Sequence, residues 1–129
     1  RQGDYPRAVK YYKKAIAIGE KILSPSDSAL ATSYSGIGAA YHHMGEYSQA
    51  LSYYNKALGI RETTLPANHL DLATSYNNIG GVYKNMGEYS QALSYYNKAL
   101  AIQEKILPSN HPHLAGSYNN IGGVYDNMG

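Results

Sequence analysis

The fourteen residues from Gly45 to Leu58, GEYSQALSYYNKAL, return without a change at Gly87 to Leu100. A second phrase, SYNNIGGVY, runs from Ser75 to Tyr83 and again from Ser117 to Tyr125. Both pairs are offset by 42 residues. Carried backwards, the same register sets Gly3, Tyr5, Ala8, Tyr12 and Ala15 under Gly45, Tyr47, Ala50, Tyr54 and Ala57. Coincidences of this number at one offset mark a repeat architecture, in which each unit cannot bury its apolar face alone and stacks on its neighbours.

Each period carries two helical patterns. Leu72, Ala73, Tyr76, Ile79, Gly80 and Tyr83 fall at steps of three and four, one apolar face of a helix. Gly87 ends it, as glycine does where a helix stops and turns. The second pattern runs through Tyr89, Ala92, Leu93, Tyr96, Ala99, Leu100 and Ile106, and stops at Leu107-Pro108-Ser109-Asn110. With the first pattern called A and the second B, the chain reads B-A-B-A-B-A. The expected helices lie near 4–22, 28–43, 46–64, 69–85, 88–106 and 111–127. Asn68 and Asn110, with Ser26 in the first period, are the expected N-caps, and Asp71 completes a capping box with Asn68. Pro112 falls in a first turn, where its missing N–H costs nothing. Gly38, Gly80 and Gly122 sit inside helices at one register, each at about 1 kcal/mol of helix propensity. That repeated penalty implies close packing, expected against Ala50 and Ala92. The expected organisation is a half repeat over 1–27, full repeats over 28–68 and 69–110, and a half repeat over 111–129. The unpaired first and last helices, with no initiator methionine, imply a piece of a longer array, and their complementary faces imply end-to-end self-association.

Composition narrows the function. The chain is 43% hydrophobic and 16% charged, the balance of a folded soluble domain. No apolar run approaches the roughly 18 residues of a membrane span, so no membrane association is expected. A net charge of +2, with lysines and arginines interleaved with glutamates, gives no phosphate-binding stripe and hence no expectation of nucleic acid. The absence of cysteine removes disulfides and thiolate metal sites and fits a reducing, cytoplasmic setting. There are 15 tyrosines but no phenylalanine or tryptophan. Such a core must bury the rings with the hydroxyls near water, as thin layers of helices allow.

The spacing resembles the tetratricopeptide repeat: an aromatic, then Leu-Gly, Tyr, Gly-x-Tyr, Ala, aromatic and Ala. It appears here as Tyr76, Ile79-Gly80, Tyr83, Gly87-Glu88-Tyr89, Ala92, Tyr96 and Ala99, and again as Tyr34, Ile37-Gly38, Tyr41, Gly45-Glu46-Tyr47, Ala50, Tyr54 and Ala57. The third copy has Tyr118, Ile121-Gly122, Tyr125 and Gly129. The 42-residue period, SYNNIGGVY and the link ILPSNHPHLA (106–115) are similar to the kinesin light chain type within that family. The resemblance implies an all-α, right-handed superhelical solenoid of antiparallel helix pairs, with A helices lining a concave face that binds cargo or adaptor peptides. It also implies that Asn78 and Asn120 hold the peptide backbone; the first copy has Gly36 at that register. The lysines and arginines of a carboxylate clamp are missing from the corresponding positions, Thr32, Thr74 and Gly116 and then Gly36, Asn78 and Asn120.

Apart from any resemblance, the polar stripe of the A helices collects Ser35 and His42 from the first copy. Asn77, Asn78, Gly81, Lys84 and Asn85 come from the second, and Asn119, Asn120 and Asn127 from the third. An asparagine side chain donates and accepts at once, which suits gripping an extended backbone, and Gly81 and Gly123 would admit a ligand closely. His42-His43, His69 and His111-Pro112-His113 read as surface, capping and turn residues in preference to zinc ligands. Gly36-x-Gly38 lacks the third glycine and the preceding strand of a dinucleotide loop. No nucleophile, base and orienting group converge, so neither enzyme activity nor a cofactor is expected. The expected function is a module that binds a peptide segment of a partner protein in its groove. The alternative is a structural spacer or self-assembling scaffold segment with no dedicated ligand.

Overall fold

The computed structural model describes residues 3–22 and 27–129, and all of its regular structure is helical: α1 (Tyr5–Ile22), α2 (Ser28–His43), α3 (Tyr47–Thr64), α4 (Leu70–Asn85), α5 (Tyr89–Ile106) and α6 (Pro112–Asn127). The B-A-B-A-B-A order stands, and every helix begins and ends within one residue of its expected bound. Two compact units divide the chain, residues 1–65 with α1 to α3 and residues 66–129 with α4 to α6.

The A-to-B turns explain why the glycines recur. Gly45 and Gly87 take φ of +77° and +79°, a left-handed conformation that disfavours any Cβ. That geometry lets the Glu46 N–H reach the Tyr41 carbonyl at 2.9 Å and the Gly45 N–H reach the His42 carbonyl at 3.0 Å. Glu88 to Tyr83 and Gly87 to Lys84 repeat the pair at the same distances, so both helices close in the same two-bond cap.

The helix starts correct the sequence reading. Asp27 Oδ1 accepts from the Ala29 N–H at 2.8 Å, His69 Nδ1 from the Asp71 N–H at 3.0 Å, and His111 Nδ1 from the His113 N–H at 3.0 Å. The caps are thus Asp27, His69 and His111, one residue after the expected Asn68 and Asn110; Ser26 lies outside the described residues. The reason is a tight turn upstream. The His69 N–H bonds the Pro66 carbonyl at 3.0 Å, and the His111 N–H bonds that of Pro108 at 2.9 Å. Each asparagine is therefore the third residue of a β-turn, and the chain enters the helix one position later. Pro112 is in the first helical turn, as expected.

In the first unit α2 packs between α1 and α3; in the second α5 packs between α4 and α6. The internal glycines receive tyrosine rings. A Cβ on Gly38 would stand 2.7 Å from the ring of Tyr54, and one on Gly80 2.9 Å from that of Tyr96. The expected contact with Ala50 and Ala92 is thereby corrected: those alanines are fully buried, but the flat ring one turn further along fills the glycine's space. Tyr12 lies over Gly36 in the same manner, so Gly36-x-Gly38 is a helix-packing motif on which two rings rest. Beside Gly122, on the last helix, there is nothing within 4 Å.

Tyr53 and Tyr95, the tyrosines just before Tyr54 and Tyr96, each build an aromatic ladder. Tyr53 stacks on Tyr41 at 5.8 Å and tilts against Tyr34 at 6.2 Å; Tyr95 does the same with Tyr83 at 5.7 Å and Tyr76 at 6.1 Å. Lys56 lies over the Tyr34 and Tyr53 rings, and Lys98 over those of Tyr76 and Tyr95, at 5.0–5.6 Å. At such distances the ring faces attract the ammonium. Val124 joins Ala92 and Tyr96 in the core of the second unit, with Tyr83, Tyr89, Leu93 and Ile121 packed around them.

Candidate functional site

The polar stripe of α4 faces α6 across α5, and a cleft of about 280 Å3 opens between them. Its walls are Thr74, Asn77 and Asn78 from α4, and Pro112, His113, Gly116 and Ser117 from α6; Gln103 of α5 forms the floor. The spacing of 74, 77 and 78 puts those α4 side chains on one face. Gly116, at the register where the other copies have threonine, contributes no side chain to the opposite wall.

Two features of the cleft follow from burial. Gln103 and Ser117 are 7% and 2% exposed, and the Ser117 hydroxyl donates to Gln103 Oε1. Each buried group thereby satisfies the other. Asn77 Oδ1, by contrast, is covered from solvent and has no hydrogen-bond partner.

The expected site residues divide by position. Asn77 and Asn78 line the cleft. Asn120 is half-buried on α6, whereas Asn119 and Asn127 are exposed there, and Asn85 is exposed at the end of α4. Gly81 is half-buried. Lys84 reaches from α4 to α6, its Nζ 3.0 Å from where a Cβ on Gly123 would stand. The space beside Gly123, expected to admit a ligand, is therefore taken by this lysine. In the first unit Ser35 accepts a hydrogen bond from Arg61 Nη1 at 3.0 Å. His42 is half-buried beside His43 and Tyr47, their ring centres 6.1 and 5.9 Å away. Burial, and then the neighbouring His43, lower its pKa and favour the neutral ring. Tyr5 stacks on His43 at 4.9 Å.

Gln103, Ser117, Pro112 and His113 were not expected to share this cleft. Gln103 is on a B helix, outside the face read for ligands. Its one signal in the sequence is a break in the repeat, since the second period has Arg61 where the third has Gln103. Among the described residues no group of three or more His, Asp or Glu side chains is placed to hold a metal ion. No described helix is long and apolar enough to cross a membrane.

Comparison with known proteins agrees with this geometry. A putative kinesin light chain of Podosopora anserina with nearly identical TPR-like repeats superposes with a TM-score of 0.87 at 24% identity, over 95% of this chain and 58% of that one. BtubC (BKLC) from P. vanneervenii gives 0.88 at 22% identity, over 95% and 49%. The apo form of RapI gives 0.80 at 22%, over 96% and 43%. The chain thus spans about half the length of these structures, and at such identity they share its fold. No curated protein sequence matched significantly. The tetratricopeptide repeat model matches residues 1–63 and 71–129, nearly the whole chain, and the fold is generally one of protein–protein interaction. With its helices, caps and glycine–tyrosine contacts all repeating in that pattern, the chain belongs to the tetratricopeptide repeat family.

Proposed function

We propose that this chain is a protein-interaction module that holds an extended segment of a partner along α4 and α6. The observation that carries this reading is the polar cleft floored by Gln103, with Asn77 and Asn78 on its wall. Asparagine amides there can pair with a peptide backbone whatever its side chains. Asn120 continues the contact on α6, and Lys84 bridges the two helices further along. Asn119, Gly81, Asn85 and Asn127 are outer contacts in this reading. An open polar groove suits binding better than chemistry, which needs convergent groups in a water-excluding pocket. In this reading the module works in the cytoplasm, in keeping with its lack of cysteine.

Peptide display against the 129-residue chain tests this. An enriched motif is expected, with affinity falling about tenfold or more in Asn78→Ala/Asn120→Ala, the effect of roughly one buried hydrogen bond lost. No enrichment, or a motif indifferent to the double substitution, would reject groove recognition.

A second reading, self-assembly of the 129-residue chain, is favoured by one observation. Tyr83 of α4 is stacked by Tyr95, while its counterpart on α6, Tyr125, is 58% exposed, beside the bare Gly122. Tyr11, Ile18 and Ile22 of α1 are 62%, 62% and 74% exposed. We propose that α1 of one copy covers α6 of another. Sedimentation should then show species that grow with concentration and disappear in Tyr125→Glu. A monomer at every concentration refutes stacking and leaves the groove reading untouched.

A further inference from the structure

The two units differ at one informative place. In the first, Ser35 of α2 accepts from the guanidinium of Arg61 on α3. In the second, the counterpart of Ser35 is Asn77, and the counterpart of Arg61 is Gln103. Gln103 does not serve Asn77 as Arg61 serves Ser35: its Oε1 accepts from the buried Ser117 hydroxyl, and its Nε2 gives no hydrogen bond to Asn77 Oδ1. Asn77 Oδ1 is left covered and without a donor, at the edge of a cleft of about 280 Å3. An orphaned buried acceptor is costly, and a donor arriving from outside would recover that free energy.

From these observations we infer that the cleft takes an arginine side chain of the partner, whose guanidinium supplies to Asn77 what Arg61 supplies to Ser35. This inference rests on the groove reading and names the chemistry of its ligand. The volume is several times that of one water, about 30 Å3, so a planar guanidinium has room. Asn77 meets it by rotating its terminal amide, a broad torsion with little barrier to reorientation. Thr74 adds an acceptor: its hydroxyl proton goes to the Leu70 carbonyl at 3.3 Å, leaving its oxygen lone pairs open to a donor. No lysine or arginine lines the cleft to repel the incoming cation.

The opposite ligand, an anion, is served poorly although α6 begins here. Pro112 has no N–H, the His113 N–H is held by His111 Nδ1, and the Leu114 N–H by the His111 carbonyl at 3.0 Å. The donors that a helix N-terminus would offer to an anion are already in use.

The test is titration of the whole chain with N-acetyl-arginine amide, followed by the side-chain amide signals of Asn77 and Gln103 in nuclear magnetic resonance. N-acetyl-glutamate amide is the counter-probe. Saturable shifts at millimolar concentration are expected with the arginine probe alone. Asn77→Leu should weaken binding at least about fivefold, and Asn77→Asp, a charged acceptor, should strengthen it about tenfold. Gln103→Arg should fill the cleft from within and abolish binding of the probe. The inference is overturned by no saturation up to about 50 mM, beyond any specific single-residue affinity. Preference for the glutamate probe, or binding indifferent to Asn77→Leu and Gln103→Arg, would overturn it equally. An enriched display motif without arginine would also overturn it while groove recognition stood; saturable arginine binding without any enriched peptide would do the reverse.

Discussion

Leucine in place of Gly80 is expected to destabilise the second unit by about 2–4 kcal/mol, while leucine in place of Gly122 is expected to cost nothing. The asymmetry comes from what each glycine faces. A Cβ on Gly80 would meet Cδ1 and Cε1 of Tyr96 at 2.9 Å, well inside van der Waals contact. The ring has no room to withdraw, for Tyr96 is 4% exposed and packs with Ala92 and Val124. Overpacking of a tight core costs about 1–3 kcal/mol, and a leucine adds further carbons beyond the Cβ. The gain in helix propensity, about 0.8–1 kcal/mol, offsets part of this. Gly122 has nothing within 4 Å, so the propensity gain acts there alone. Denaturant titration followed by circular dichroism measures both. The mechanism has its own check, since Gly80→Leu should cost much less in a Tyr96→Ala background, two contacting sites being coupled. An unchanged midpoint for Gly80→Leu, or strict additivity with Tyr96→Ala, would show that the ring is not what the glycine accommodates.

That pair also shows how far the sequence could be read. The repeat gave the phase of every helix, because copies seen at one offset align their own boundaries, and Gly45 and Gly87 marked the turns that only a left-handed residue closes so tightly. It also showed that the internal glycines had a packing role. Which side chain filled the space was hidden, since Ala92 and Tyr96 share a face and only the approach of the two helices decides between them. The N-caps were missed by one residue, because asparagine is equally at home in a cap and in a β-turn, and Pro66 and Pro108 settle the matter through a bond across four residues. At the cleft, periodicity placed Asn77 and Asn78 on one stripe. It could not supply Gln103 and Ser117, whose meeting depends on the packing of α5 against α6. The substitution of Gln103 for Arg61 was visible as a break in the repeat, and its meaning appeared only with the Arg61–Ser35 bond.

Raising the pH through the tyrosine range should unfold both units cooperatively. Burial pushes Tyr54 up to about 12 from an ordinary value of 10.0 and raises Tyr96 as well, so each unit has one such ring at its core. Tyr34 and Tyr83 are raised too, first by burial, then by a hydrogen bond to Glu20 for Tyr34 and by the charges of Tyr95 and Glu88 for Tyr83. The sign follows from linkage. The folded state holds the phenolic proton more tightly than the unfolded chain, so above the unfolded pKa of about 10 the unfolded state binds fewer protons and gains on the folded one. The stabilisation is complete below pH 10 and is lost as pH rises towards 12. For Tyr54, two pKa units correspond to roughly 3 kcal/mol, a large fraction of the stability of a small unit. Tyrosinate absorbance and helical circular dichroism, followed together against pH, should therefore share one steep transition between about 10 and 12. Tyr54→Phe removes the titrating hydroxyl while keeping the ring over Gly38, and should move the alkaline midpoint of the first unit upward. If helicity persists while all the tyrosines ionise, or if Tyr54→Phe leaves the midpoint in place, the buried ring on the glycine is not what alkaline pH attacks.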